Sequence, residues 1–194
     1  MAYCTRAEVV ERLRLSAPAA GSQLETSIDD AIVAATAQID NATGRTFTQV
    51  DEVAKVFGPR SYETLRVPDL ISVTTLKFDD DDDGMFELTI PATDYELDQV
   101  VQRDGFPFDT LLLLSRYFPT GRRKRTVQIT GSWGFAAIPA PINQACSLLA
   151  SQLAQRPGAA LFGVQSMGEM GGTHIGAVRP DPKLIGPYTR ASVA

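Results

Sequence analysis

The amino-acid sequence predicts an α+β protein: a small bundle of three principal helices with an inserted antiparallel β region and an extended C-terminal arm. Three observations support this fold class. Apolar residues recur at steps of three and four near both ends of residues 1–158, β-branched and aromatic residues dominate the middle, and glycines accumulate after residue 158. We therefore predict a helical domain at residues 1–158, with the β insert at about 46–131, and an arm at residues 159–194.

Two helices are predicted before residue 45. Thr5 and Glu8 form a capping-box pattern ahead of the first helix, and Ser22 and Glu25 repeat that pattern ahead of the second. The second helix ends at Gly44, because glycine readily takes the left-handed backbone conformation that closes a helix. Its apolar stripe consists of Leu24, Ile28, Ala31, Ile32, Ala35, Ile39 and Ala42.

The β insert is predicted from short apolar segments separated by polar turns. The predicted strands are Leu70–Phe78, Met85–Ile90, Tyr95–Asp98, Leu111–Ser115 and Thr126–Thr130. Pro141 then begins the third helix, since proline loses no needed backbone donor in the first helical turn. The buried stripe of that helix is Ile142, Ala145, Leu149 and Leu153.

Composition limits the function classes. Apolar residues make up 44% of the chain and charged residues 21%, which is typical of a folded globular protein. The formal net charge of -5 argues against a protein whose main task is neutralising phosphates. No segment resembles a signal peptide or a membrane helix, so we expect a soluble protein that is not exported and has no membrane partner. Cys4 and Cys146 lie in different segments and predict neither a disulfide framework nor a metal site.

The run Asp79–Gly84 permits two interpretations. Alternating carboxylates followed by glycine are how a calcium-binding loop begins, which raises the hypothesis of a calcium-dependent binding module. A full calcium loop then has a bidentate Glu at its twelfth position, whereas counting from Asp79 places Ile90 there and Glu87 at the ninth. The pattern therefore favours a solvated hairpin tip, and no metal ligand is assigned.

Four basic residues precede the last predicted strand: Arg122, Arg123, Lys124 and Arg125. A run this short is typical of solvent-exposed residues that immediately precede a strand. Contact between rings of subunits is a second interpretation, and contact with DNA phosphates is a third, since guanidinium groups bind phosphate in a bidentate manner.

Catalytic chemistry is not predicted. Hydrolysis by a nucleophile requires a base held beside it, and the single histidine, His174, lies in the glycine-rich arm. No catalytic residue and no cofactor are therefore assigned. Trp133 and Phe135 either form an exposed aromatic binding site or pack in the core, and the pattern favours core packing.

The order of these elements resembles the head-tail connector family of tailed bacteriophages. The likeness rests on three stretches: the helix ending in Gly44-Arg45-Thr46-Phe47, the segment from Val127 through Gly131-Ser132-Trp133-Gly134-Phe135 to Ile138-Pro139-Ala140-Pro141-Ile142, and the terminal Asp181–Arg190. It covers most of the chain in organisation, although the β insert is longer than the helical core requires.

The resemblance implies a non-enzymatic virion protein, a head-to-tail adaptor. Such a protein assembles in the host cytoplasm into a ring, usually a dodecamer, below the portal at the head-tail junction. It joins the portal to a downstream neck or tail-completion protein, and genomic DNA passes through without sequence-specific binding. Another neck or tail-completion protein is the nearest alternative.

The arm is the expected portal-binding element, because weak contacts repeated around one ring reinforce each other. Its expected contacts are apolar or basic: Leu161, Phe162, Ile175, Arg179, Lys183, Leu184, Ile185, Tyr188 and Arg190.

Overall fold

The computed structural model describes residues 2–119, 125–155, 164–165, 173–174 and 178–190. The chain divides into two compact units, Met1–Arg45 with Ile138–Ala194 and Thr46–Ala137. We call the first the helical unit and the second the sheet unit. No helix within the described ranges has the length and apolar character needed to cross a membrane.

The described part of the helical unit contains four α-helices: α1 (Arg6–Leu13), α2 (Gln23–Thr43), α3 (Ala140–Ala154) and α4 (Pro182–Ile185). The predicted capping box is present at α1, where the Glu8 amide donates to Thr5 Oγ1 at 3.3 Å and the Thr5 amide donates to Glu8 Oε2 at 2.6 Å. Ser22 caps α2 by accepting from the Glu25 amide at 3.2 Å. Gly44 closes α2 with φ 65° and donates its amide to Asp40 O at 2.8 Å.

The helices of this unit pack α3 against α1, α2 and α4. The predicted stripe of α2 is buried except at its ends, since Leu24 is 42% exposed and Ala42 is also exposed. Thr43 is buried instead, and its hydroxyl donates to Ile39 O at 2.8 Å. The buried apolar residues of the helices are Val9, Val10, Ile28, Ala31, Ile32, Ala35, Ile39, Ile142, Ala145, Cys146, Leu149, Ala150 and Ile185.

The described residues of the sheet unit form six antiparallel strands: β1 (Val50–Phe57), β2 (Thr64–Phe78), β3 (Leu88–Ile90), β4 (Tyr95–Asp98), β5 (Phe108–Leu113) and β6 (Val127–Trp133). Their order is β1-β6-β2-β5-β4, and β3 pairs with β2. Val50 pairs with Trp133, so the first and last strands of the unit lie side by side. A separate two-stranded ladder in the C-terminal region joins β7 (Val164–Gln165) to β8 (Thr173–His174).

The sheet unit has its own hydrophobic core. Its buried cluster comprises Leu65, Val67, Leu70, Leu76, Phe78, Ile90, Leu111, Leu113, Phe118, Val127, Ile129 and Trp133. Trp133 is 3% exposed and donates its indole N–H to Val53 O at 2.8 Å. The Phe135 ring is 2% exposed and lies 4.9 Å from Phe47 and 5.7 Å from Phe106, centroid to centroid. The predicted core packing of Trp133 and Phe135 is confirmed.

The predicted bundle of three principal helices with a β insert is wrong. α1 has 8 residues and α4 has 4, whereas the supposed insert is a six-stranded sheet with a core of its own. Edge strand β1 was not predicted because its exposed positions include Asp51 and Glu52. The described end of the predicted extended arm is also not extended, since residues 182–188 form α4 and a 3-10 turn.

Candidate assembly interface

The C-terminal segment 178–190 belongs partly to the fold of the helical unit. Asp181 begins α4 by accepting the Lys183 amide at 2.9 Å, and Pro182 occupies the first turn. Ile185 is 7% exposed, and α4 packs against α3. The Arg190 amide donates to Thr43 O at 3.0 Å, which attaches the end of this segment to the end of α2.

The portal-binding residues predicted from the sequence differ in how deeply their side chains are buried. Arg179, Lys183 and Arg190 are exposed, Leu184 and Tyr188 are half-buried, and Ile185 is buried. Leu161, Phe162 and Ile175 lie outside the described residues. The segment therefore presents three positively charged side chains to solvent while Ile185 anchors it to its own unit.

The basic run before β6 is described only at its last residue. Arg125 is exposed, whereas Arg122, Arg123 and Lys124 lie outside the described residues. The next residue, Thr126, is buried and donates its hydroxyl to Pro119 O at 2.8 Å.

The sheet unit exposes an apolar surface that no sequence pattern had indicated. Tyr62 is 62% exposed and Tyr117 is 69% exposed, and their rings meet edge-on with centroids 6.5 Å apart. The Phe118 amide donates to Tyr62 O at 2.8 Å, which fixes the two segments together. Leu114 is 60% exposed on the intervening chain. We call Tyr62, Leu114 and Tyr117 the tyrosine patch; aromatic side chains of this kind are enriched at protein interfaces.

The aspartate loop, Asp79–Glu87, connects β2 to β3. Asp79 is only 1% exposed, and its Oδ2 accepts the Gly84 amide at 2.9 Å. Further along the loop, the Asp83 amide donates to Asp81 Oδ1 at 3.2 Å. Carboxylate oxygens of Asp79, Asp81 and Asp83 lie within 4.8 Å of one another. The loop is thus folded around its own carboxylates, and its first residue is buried rather than solvated.

Two cysteines that are far apart in the sequence meet in the helical unit. Cys4 Sγ lies 2.9 Å from Cys146 Sγ, and both thiols are free and buried. The hydrogen bond with Cys146, together with burial, raises the pKa of the Cys4 thiol. Sequence spacing carried no signal for this pair, because α3 reaches the N-terminal segment only through tertiary packing.

The single histidine, His174, lies in β8, where its backbone pairs with that of Val164.

Within the described ranges, the acidic residues whose oxygens lie close enough together to hold a metal ion are confined to the aspartate loop.

Comparisons with known proteins identify a shared fold. No protein-family profile matches the chain, and no curated protein is significantly similar to it. Among solved structures, a chain in the "Neck of empty GTA particle computed with C6 symmetry" is 22% identical, with a TM-score of 0.60 over 97% of this chain and 90% of that one.

Two further structures give the same result. A chain in the "Neck of native GTA particle computed with C12 symmetry" is 22% identical with a TM-score of 0.53, covering 97% of this chain and 89% of that one. A chain in the "Virion of native gene transfer agent (GTA) particle" is 23% identical with a TM-score of 0.50, covering 97% and 90%. The chain has the fold of these neck and virion chains, which agrees with its resemblance to head-tail connectors.

Proposed function

We propose that this protein is a structural component of a virion neck: a head-to-tail adaptor that forms a ring below the portal and joins the DNA-filled head to the tail. The observation that carries the proposal is the shared fold with a chain from a gene transfer agent neck, which extends over 97% of this chain at a TM-score of 0.60. A likeness of this extent includes both the helical unit and the sheet unit.

Ring formation is supported by the symmetry of the related particles. Two of the matching structures are necks computed with C6 and C12 symmetry, and a cyclic ring of more than two copies is built from head-to-tail contacts that close on themselves. We therefore propose a homo-oligomeric ring, with twelve copies as the expected number. The tyrosine patch is the candidate contact between neighbouring copies, because exposed aromatic pairs frequently dominate the free energy of association.

Portal binding is assigned to the C-terminal region. Arg179, Lys183 and Arg190 are exposed on one short segment, and their charges complement an acidic partner surface. The overall charge of -5 would let DNA pass the ring without adhering to it, because like charges repel.

A second role remains within the same class. The likeness to chains of a neck and of a virion fits more than one kind of neck protein. Another neck or tail-completion protein would share the fold but bind tail components and not the portal.

Electron microscopy and a binding titration with the cognate portal protein distinguish the two roles. The adaptor proposal expects a ring of this protein on the portal; binding to tail components alone would contradict it.

Truncation of the C-terminal region is a poor test of portal binding, because Ile185 is part of the helical core. Lys183→Glu is sharper, with an expected loss of about tenfold in portal affinity. Arg60→Glu reverses the charge of another exposed residue, in the sheet unit, and is expected to bind as the native chain does.

Self-association tests the tyrosine patch separately. Tyr117→Ser should weaken contact between copies by about tenfold or more, measured by sedimentation across a concentration series. Val33, which is 67% exposed on α2, provides the control Val33→Ser. Equal behaviour of the two variants would remove the tyrosine patch from the interface.

A further inference from the structure

The aspartate loop contains a buried carboxylate oxygen that lacks a partner. Asp79 is 1% exposed. Its Oδ2 accepts the Gly84 amide at 2.9 Å, but Oδ1 is buried and has no hydrogen-bond partner among the described residues. Buried acceptors are almost always satisfied in native proteins, because a carboxylate oxygen removed from water loses its hydration. A cation bound beside Asp79 would compensate this oxygen for its lost hydration.

The neighbouring carboxylates add negative charge beside Asp79 and supply no hydrogen-bond donor. Asp81 and Asp83 each bring a carboxylate oxygen to within 4.8 Å of the Asp79 carboxylate and of each other. Ionised carboxylates only accept hydrogen bonds, so they cannot satisfy Asp79. The aspartate loop thus contains six acidic side chains, five consecutive aspartates and Glu87.

The spacing of the three aspartate oxygens fits a calcium ion. Calcium binds six to eight oxygens at about 2.3–2.6 Å, so two oxygens on opposite sides of one ion lie up to about 5 Å apart. The three oxygens are within 4.8 Å of one another, which allows one ion to contact all of them. Asp81 and Asp83 are exposed, so the ion can enter from solvent and keep part of its hydration.

We propose that the aspartate loop is a calcium site in which Asp79, Asp81 and Asp83 are direct ligands. These residues occupy the first, third and fifth positions of the loop, and Gly84 occupies the sixth with φ 96°. Glu87 stands at the ninth position, from which calcium loops commonly bind the ion through water.

The site differs from a complete calcium loop at its twelfth position. Ile90 stands there, 3% exposed and paired with Leu76 in the sheet, so it supplies no bidentate carboxylate. We therefore expect weak binding, with a Kd on the order of 0.1–1 mM, as found in modules with fewer charged ligands. The function of the ion would be structural: it would join the end of β2 to the start of β3. The calcium site does not rest on the proposed neck function and can fail without affecting it.

Calorimetric titration of the full chain with CaCl2 tests the site, alongside thermal unfolding with and without calcium. We expect one bound ion and a rise in unfolding temperature that NaCl at matched ionic strength does not reproduce. Asp81→Asn and Asp79→Asn should each weaken binding by about tenfold or more. Asp82→Asn is the matched control, because it removes the same charge from the same loop. Asp82 belongs neither to the group of Asp79, Asp81 and Asp83 nor to a second group of converging oxygens from Asp80, Asp81 and Glu87.

Asp82 has φ 67°, a conformation that Asn tolerates, so the control variant should fold and bind within about threefold of the native chain. Three results would overturn the proposal: no heat at about 10 mM calcium, an equal thermal shift with NaCl, or equal losses for Asp82→Asn and Asp81→Asn. Should Asp79→Asn misfold by circular dichroism, the exposed Asp81 still decides the outcome.

Discussion

Gly131 lies where two strands of the sheet unit approach each other closely. It pairs with Val53 on one side and Val73 on the other, and a Cβ built on it would lie 2.1 Å from Ser72 O. Gly134 is constrained twice, by φ 100° and by a Cβ position 2.1 Å from Thr48 O. The two glycines of the Gly131–Phe135 segment are therefore required by backbone contacts and not by flexibility.

Replacing Gly131 with alanine should destabilise the sheet unit. Backbone atoms of Ser72 cannot move away without breaking strand pairing, so we expect Gly131→Ala to lower the free energy of unfolding by about 2–4 kcal/mol. Urea unfolding followed by circular dichroism measures the change. Gly186→Ala is the control, because no atom lies within 4 Å of its added Cβ, and it should change stability by less than about 0.5 kcal/mol. Equal effects would contradict the steric explanation.

Single residues were predictable from the sequence where the determinant is local. Trp133 and Phe135 were correctly placed in the core, since aromatic residues beside a strand end are usually buried. The burial of Asp79 and the contact between Cys4 and Cys146 depend on distant chain segments. No local pattern contains that information.

At the scale of elements, α1 is held by its capping box and by α3. Glu8 accepts from the Thr5 amide at 2.6 Å and from Asn143 Nδ2 at 3.2 Å. These hydrogen bonds favour the ionised carboxylate, and the Thr5 amide is the largest cause of the lowered pKa of Glu8. One side chain thus satisfies the start of α1 and links it to α3.

The stability that Glu8 contributes should depend on pH. Because its folded pKa is lowered from the ordinary 4.5, the contribution is present above that value and is lost as pH falls through the folded pKa. Glu8→Gln should therefore cost about 1 kcal/mol at pH 7 and progressively less in acid. Urea unfolding at about pH 7 and about pH 3 measures this difference.

Glu11→Gln removes the same charge from an exposed position of α1 and should have little effect at either pH. A cost for Glu8→Gln that stays constant with pH would contradict the assignment of the effect to the ionised carboxylate.

Elements with strong end signals were predicted well. Capping residues located α1 and α2, a proline located α3, and β4 was found at Tyr95–Asp98. β2 begins at Thr64, earlier than predicted, and contains Pro68. Proline and polar edge positions weaken the alternating pattern, so the extent of the sheet and its edge strand β1 could not be read from the sequence.

At the scale of the whole molecule, the chain forms two units whose cores are separate in sequence. The core cluster of the sheet unit extends from Leu65 to Trp133, entirely within Thr46–Ala137. The sequence suggested an insert in a helical domain because the helical periodicity stands out from the weaker strand patterns. Strand pairing across the sheet determines which residues share a hydrophobic core. The periodicity of residues along the chain does not reveal that pairing.

Residues 46–137 expressed alone should fold. All twelve members of the core cluster are retained in this fragment, and every strand pairing of β1–β6 lies within it. We expect cooperative urea unfolding monitored by the fluorescence of Trp133, the only tryptophan in the chain. The same fragment carrying Leu76→Ala, a change at a fully buried position, should lose about 2–4 kcal/mol. A fragment without a cooperative transition would show that its core depends on the rest of the chain.

The pairing of Val50 with Trp133 has a consequence for how this chain can change. The sheet unit begins and ends on adjacent strands, so the points at which the chain enters and leaves it lie close together. The number of residues between those strands does not alter the distance between the two points. Loops such as the one joining β2 to β3 can therefore lengthen, shorten or be exchanged while the flanking helices keep their own sequences and caps. Variation among proteins of this fold should accordingly concentrate in the sheet unit, away from α2 and α3.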